Sequence, residues 1–187
     1  MISLTREDYK KTRAALPFKE REVFSKIVCH AIINSREYNE AERVMAYWAI
    51  SSELSLKPLI EHALKSGREL YLPVCASDGS MEGARFKEGD ELLAGACRVP
   101  EPAGEFIPPQ RLELIIVPML AFNAGCFRTG WGGGYYDRYL VRTGAFRLGA
   151  AFECQYDGRM EVKPSDAPLD KIITETHIWT PCAHERY

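Results

Sequence analysis

Two short strand-like runs, Arg43-Val44-Met45-Ala46-Tyr47-Trp48-Ala49 and Leu70-Tyr71-Leu72-Pro73-Val74, flank a segment that carries Leu56, Leu59, Ile60, Ala63 and Leu64. The middle residues recur at i, i+3, i+4, i+7 and i+8, the spacing of one apolar helix face. Ser55 suits the N-cap of that helix, Pro58 its tolerant first turn, and Gly67 its end. A strand, a helix and a second strand so close together form a βαβ unit. Such a unit pairs its strands in parallel through a right-handed crossover.

Working outward, Leu112-Glu113-Leu114-Ile115-Ile116-Val117 is a nearly continuous apolar run that stops at Pro118. It reads as a strand covered on both faces. Gly83 to Lys87, Phe146 to Phe152 and Lys171 to Glu175 are expected as further strands, and Tyr135 to Arg142 as a helix. Upstream, Tyr9, Arg13 and Leu16 belong to a first helix that ends at Pro17. A second runs from Phe18 to Ile33, with Val23, Phe24, Ile27, Val28, Ala31 and Ile32 as its apolar face. The expected architecture is an α/β sandwich with a mostly parallel sheet. No linker or repeat divides the chain, so residues 1–187 are expected to form one domain, with helices over residues 1–35 packed on its core.

Composition narrows the functional classes. The chain has 187 residues, 46% hydrophobic and 27% charged, which marks a globular protein with a sizeable core. Lys+Arg total 24 against 26 Asp+Glu, a formal charge of -2. That balance argues against a nucleic-acid binder held by its overall field. The apolar runs are too short to span a bilayer. Cys29, Cys75, Cys97, Cys126, Cys154 and Cys182 form no close pair and no metal-ligand spacing with the four histidines. They read as free thiols of a cytoplasmic protein.

The densest chemistry follows the buried strand, in Arg128-Thr129-Gly130-Trp131-Gly132-Gly133-Gly134-Tyr135-Tyr136-Asp137-Arg138. In open α/β sheets, ligands bind beyond such strand ends. Glycines let backbone amides approach a ligand and adopt positive φ. A helix start next to them favours anions such as phosphates. The run is neither a P-loop, since Trp131 stands where lysine is needed, nor a dinucleotide fingerprint, since Tyr135 stands where glycine is needed. Without a ligand the same run would be only a tight turn. Asp137 lies on the rim of this cradle and suits Mg²⁺, which takes one or two carboxylates plus phosphates and waters. A first-turn aspartate also simply favours the helix dipole. Asp166 reads equally well as a turn residue, and Glu53 as a solvated loop residue or as a carboxylate that holds a flat heterocycle beside Tyr47 and Trp48.

These residues resemble those of the 5-formyltetrahydrofolate cyclo-ligase family. The likeness rests on Val117-Pro118, Ala121-Phe122 and the Arg128 to Arg138 stretch. Glu53 before Pro58-Leu59-Ile60, Leu72-Pro73-Val74, Pro100-Glu101-Pro102, Pro168-Leu169-Asp170 and Ile173-Thr174-Glu175 support it. The resemblance implies a Rossmann-like three-layer sandwich related to the ribose-5-phosphate isomerase and CoA transferase folds. It implies a monomeric enzyme that converts 5-formyltetrahydrofolate and ATP, with Mg²⁺, into 5,10-methenyltetrahydrofolate, ADP and phosphate. It further implies ATP contacts from Arg6, Arg128, Gly130, Trp131, Gly132, Gly133, Gly134, Tyr135 and Tyr136. Folate contacts would come from Trp48, Glu53, Trp131 and Tyr135, and metal carboxylates from Asp137 and Asp166. Arg128, Tyr136 and Asp137 are the implied catalytic residues. Arg6 matches the arginine of a first-helix Lys-x-x-x-Arg pair, whereas Ile2 holds the lysine position, leaving Lys10 or Lys11 to replace it. Gly133 stands where some members carry lysine, and Ser165 where histidine is usual. A non-catalytic binder of folate or nucleotide, and an ATP-independent enzyme on the same fold, are the competing readings.

Overall fold

The computed structural model describes residues 4–95, 99–163 and 166–181. Its helices are α1 (Arg6–Ala15), α2 (Phe18–Ile33), α3 (Arg36–Glu40), α4 (Lys57–Lys65) and α5 (Tyr135–Leu140). Its strands are β1 (Arg43–Met45), β2 (Glu69–Cys75), β3 (Met81–Phe86), β4 (Leu92–Ala94), β5 (Pro100–Pro102) and β6 (Phe106–Ile107), then β7 (Leu114–Val117), β8 (Ala121–Phe122), β9 (Arg128–Thr129), β10 (Phe146–Ala150), β11 (Lys171–Ile173) and β12 (Ile178–Trp179).

Eight strands form one sheet in the order β12-β11-β10-β7-β1-β2-β3-β6. The consecutive pairs from β11 to β2 are parallel, and β12, β3 and β6 join antiparallel. The βαβ unit β1-α4-β2 stands at its centre, with Val44 opposite both Leu70 and Leu114. β7 lies beside β1, and all four of its residues are fully buried, as its unbroken apolar run requires. Alternate side chains leave the sheet on opposite faces. Val44, Leu70, Leu114 and Ile116 pack with Val28, Cys29 and Ile32 of α2 and Leu59, Ile60 and Ala63 of α4. Met45, Tyr71, Ile115 and Val117 pack on the other side with Tyr139 and Leu140 of α5. Helices on both faces of a mainly parallel sheet make the expected three layers.

Three local expectations need correction. Of the run Arg43 to Ala49, only Arg43–Met45 forms a strand, and the Ala46 amide still donates to the Tyr71 carbonyl at 3.0 Å. Leu56, not Ser55, caps α4, without a side-chain hydrogen bond. The buried face of α2 is centred on Ser25, Val28, Cys29 and Ile32, whereas Val23 and Ile27 are 54% and 45% exposed. Cys29 and Cys154 are free thiols, while Cys97 and Cys182 lie outside the described residues. No helix among the described residues is long and apolar enough to cross a membrane.

Helix α1 sits apart from the sheet faces. Thr5 and Asp8 close a capping box at its start. Its Tyr9 packs on Leu120 and Ala121, just beyond the carboxyl end of β7, and donates a hydrogen bond to Asp157 at 2.8 Å. One whole side of α1 therefore faces the loops that follow the central strands. Because Ile116 fills the α2/α4 side of the core without contributing to those loops, Ile116→Ala should lower the unfolding free energy by about 2–5 kcal/mol. Urea denaturation should show this as a shifted midpoint with an unchanged slope.

Candidate active site

A cavity of about 390 Å³ opens at the carboxyl ends of β1, β2 and β7. Its size is in the usual range for small-molecule sites. Tyr47, Trp48, Ile50 and Glu53 come from the chain after β1, Pro73 and Cys75 from the end of β2, and Pro118 from the residue after β7. The glycine loop between β9 and α5 forms the facing wall. Arg6, Trp48, Glu53, Arg128, Gly130, Trp131, Gly132, Gly133, Gly134, Tyr135, Tyr136 and Asp137 all line this one cavity.

Asp166 is the exception. It is exposed, is absent from the cavity wall, and accepts a hydrogen bond from the Lys163 amide at 2.9 Å. The expected pairing of Asp137 with Asp166 is therefore not assembled at the cavity. The turn reading of Asp166 accounts for its geometry. Ile2 and Ser165 lie outside the described residues.

The glycine loop has almost no side chains with which to hold itself. Gly132 and Gly134 have φ of 103° and 69°, where a side chain is strained. A Cβ on Gly134 would also lie 2.5 Å from Arg138 Nη1. The loop is fixed by neighbours that grip its carbonyls. Arg6 Nε donates to the Gly130 oxygen at 3.0 Å. Arg138 Nη2 donates to the oxygens of Gly133 and Gly79, each at 2.7 Å. The amides of residues 131–134 donate to no described residue, which leaves a row of N–H groups for an anion. Helix α5 has only six residues, so these amides and the nearby cations, more than a long helix dipole, supply the positive field.

Arg128 and Asp137 form an ion pair at 2.7 Å, with side-chain exposures of 6% and 73%. In water the pair itself contributes little stability. It keeps a buried guanidinium, whose Nε has no partner among the described residues, and a solvent-facing carboxylate at the cavity mouth. Asp137 fits a Mg²⁺ bound mainly through substrate phosphates and waters. Among the described residues, no group of three or more His, Cys, Asp or Glu side chains would hold a metal without such a substrate. The Tyr136 hydroxyl, on the same wall, is buried with no partner among the described residues. Burial raises its pKa far above the ordinary value, so it is a neutral donor.

Glu53 lies at the opposite wall, 6% exposed. Its loop turns tightly through Ser51, at φ 55°, and closes when the Ile50 amide donates to Glu53 Oε2 at 3.0 Å. Trp131 Nε1 donates to Glu53 Oε1 at 2.7 Å, which ties the glycine loop to the loop after β1. Burial raises the Glu53 carboxyl above its ordinary pKa, against the opposing pull of the Ile50 and Trp131 hydrogen bonds and the Arg13 charge. Trp48 stands edge-on to Phe86, at 6.3 Å between ring centroids. Pro73, Met81 and Val99 complete an apolar floor.

A protein-family model described as the 5-formyltetrahydrofolate cyclo-ligase family matches residues 3–175. The chain belongs to that family. It is 31% identical over 147 residues to 5-formyltetrahydrofolate cyclo-ligase of Escherichia coli K12, covering 74% of this chain and 81% of that protein. The Haemophilus influenzae protein of the same name is 25% identical over 176 residues, covering 90% of this chain and 94% of its own. The solved structure of Aquifex aeolicus 5,10-methenyltetrahydrofolate synthetase superposes with a TM-score of 0.84 at 29% identity, over 97% of both chains.

In this cyclo-ligase relative, the sequence underplayed two residues of α1. Lys10, one of the two basic residues left open, places its Nζ 4.9 Å from the Trp131 ring centroid. Arg13, read only as a helix position, reaches the same ring at 5.3 Å. The available signal was a charge in register with Tyr9 on the inward side of an amphipathic helix.

Glu53 yields the first chemical prediction. Its native carboxyl binds a proton more tightly than in the unfolded chain. The stability this site confers therefore falls as pH rises from the ordinary glutamate value to the raised native one. Glu53→Gln should remove that slope. In a ¹³C-glutamate NMR titration, Glu53 should titrate above the exposed glutamates; titration at or below them would refute its burial-dominated environment.

Proposed function

We propose that this chain is the ATP- and Mg²⁺-dependent 5-formyltetrahydrofolate cyclo-ligase of its source. The observation that carries this reading is the convergence of the glycine loop, Arg6, Arg128 and Asp137 with Glu53 and Trp48 on one cavity. The names of its relatives supply the reaction. The phosphates of ATP lie along the amides of the glycine loop, with Arg6 and Arg128 against their charge. The flat pterin of the folate lies toward Trp48, Trp131 and Tyr135, with its hydrogen-bonding edge on Glu53.

The formyl oxygen attacks the γ-phosphorus, the bond to the bridging oxygen breaks, and ADP leaves. The neighbouring amine nitrogen then attacks the resulting imidate carbon and loses its proton. The C–O bond breaks, and phosphate departs carrying the former formyl oxygen. No protein nucleophile is required. The work is to position two substrates and neutralise charge on the transferred group.

The chain's residues divide that work. The Arg128–Asp137 pair opens as substrate enters, which places the guanidinium on the γ-phosphate. The freed Asp137 carboxylate would hold Mg²⁺, which would supply positive charge against the phosphates. Tyr136 keeps its proton and donates a hydrogen bond to the transferred group. Asp166 uses only Oδ2 in its hydrogen bond to the Lys163 amide, so it would join the metal only by reaching the cavity wall. Lys10, 4.9 Å from the Trp131 ring centroid, takes the part of the first-helix lysine that Ile2 lacks, which supports the catalytic reading over a non-catalytic binder. In this reading the chain acts as a monomer of one domain on two small molecules in the cytoplasm, without nucleic acid.

Purified protein mixed with 5-formyltetrahydrofolate, Mg²⁺ and ATP should form the absorbing methenyl product with one ADP per turnover. Folded protein that forms none would overturn the reading. Asp137→Ala, at an exposed position, should fold normally and lose about a hundredfold or more in kcat. A fully active Asp137→Ala would remove Asp137 from the catalytic set.

A further inference from the structure

We propose that Arg13 is a positioning residue for folate recognition, held beneath the cavity so that Glu53 and the Trp131 indole keep the arrangement that receives the pterin. The inference rests on Glu53 being the folate carboxylate of the proposed function.

Arg13 does not line the cavity, and its side chain is 1% exposed. It reaches three separate loops. Nε donates to Ser52 Oγ at 3.1 Å, in the loop after β1. Nη1 donates to the Met119 carbonyl at 3.1 Å, beyond β7. The guanidinium carbon lies 5.3 Å from the Trp131 ring centroid, on the glycine loop. Nη1 also lies 3.9 Å from Glu53 Oε1, the oxygen that accepts the Trp131 indole hydrogen bond. One buried cation thus faces both members of the Glu53–Trp131 bridge that joins the two walls.

A purely structural role explains these contacts poorly. Burying a guanidinium is costly, and an apolar side chain of similar volume usually stabilises a core as well or better. The Met119 carbonyl has a second donor, Gln155 Nε2 at 2.7 Å, so the backbone does not depend on Arg13. Arg13 Nη2 is buried with no partner among the described residues, a further cost. What only Arg13 supplies is a positive charge behind a carboxylate that burial would otherwise tend to neutralise. Arg6 and Lys10 share its side of α1 but act on the loop directly, Arg6 from an exposed position and Lys10 from a half-buried one. Arg13 acts through Glu53.

Steady-state kinetics with each substrate varied in turn tests this on Arg13→Met, Glu53→Gln, the double variant and Arg13→Lys. Arg13→Met should raise KM for 5-formyltetrahydrofolate about tenfold or more and leave KM for ATP within about twofold. The double variant should be no worse than the poorer single variant, because both substitutions remove the same interaction. Arg13→Lys, which keeps the charge, should lie between wild type and Arg13→Met. Equal rises in both KM values, or effects that add in the double variant, would overturn the inference. If Glu53→Gln raises the folate KM and Arg13→Met does not, the role of Arg13 fails alone. If Glu53→Gln has no effect on that KM, the folate assignment of Glu53 fails and this inference falls with it. Thermal melting checks folding. Should Arg13→Met not fold, Arg13→Gln takes its place with the same expected outcomes.

Discussion

A loop made almost entirely of glycine cannot hold its own shape, and the organisation of this site follows from that constraint. Gly132 and Gly134 adopt positive φ, where a side chain is strained, and they contribute no packing of their own. The shape is imposed from outside. Arg6 grips the loop at the Gly130 carbonyl and Arg138 grips it at the Gly133 carbonyl. Trp131, the loop's one large side chain before Tyr135, anchors it to Glu53. Every one of these anchors is polar or charged, so the loop is stiff without being part of the hydrophobic core.

This arrangement explains why α1 lies at the strand ends instead of on a sheet face. Arg6, Lys10 and Arg13 fall at i, i+4 and i+7 and so project from one side of the helix. All three meet the glycine loop, by a hydrogen bond or over the Trp131 ring. The helix is therefore a wall of the site as well as a cover for Leu120 and Ala121. It also resolves an apparent mismatch between charge and ligand. The net charge of -2 gives no hint of anionic substrates, because the cations that matter are concentrated on one helix side and one loop.

The parts of the fold legible in the sequence were those with a period long enough to read. The β1-α4-β2 unit, the buried run of β7 and the span of α2 all carry such periods, and the structure has each of them. Helix α3, the β4–β5 and β8–β9 hairpins and β12 were not legible, because a five-residue helix and ladders of two or three residues carry almost no pattern. The buried face of α2 was misjudged because Val23 and Ile27 continue its apolar stripe in sequence yet point to solvent. At the site, the glycine loop was legible because positive φ leaves a compositional mark. Arg13 was less so, since its i+4 register with Tyr9 marks the inward side of α1 but not the contacts made there. Asp166 shows the converse: a motif match placed it in the site, while its own backbone turn holds it elsewhere.

The central claim is that one cleft brings the formyl oxygen of the folate onto the γ-phosphorus of ATP, with the glycine loop and its cations holding both. The most direct test follows the atom that moves. Turnover of 5-formyltetrahydrofolate labelled with ¹⁸O in its formyl group should deliver the label to inorganic phosphate. Recovery of the label in water, with unlabelled phosphate, would contradict the account.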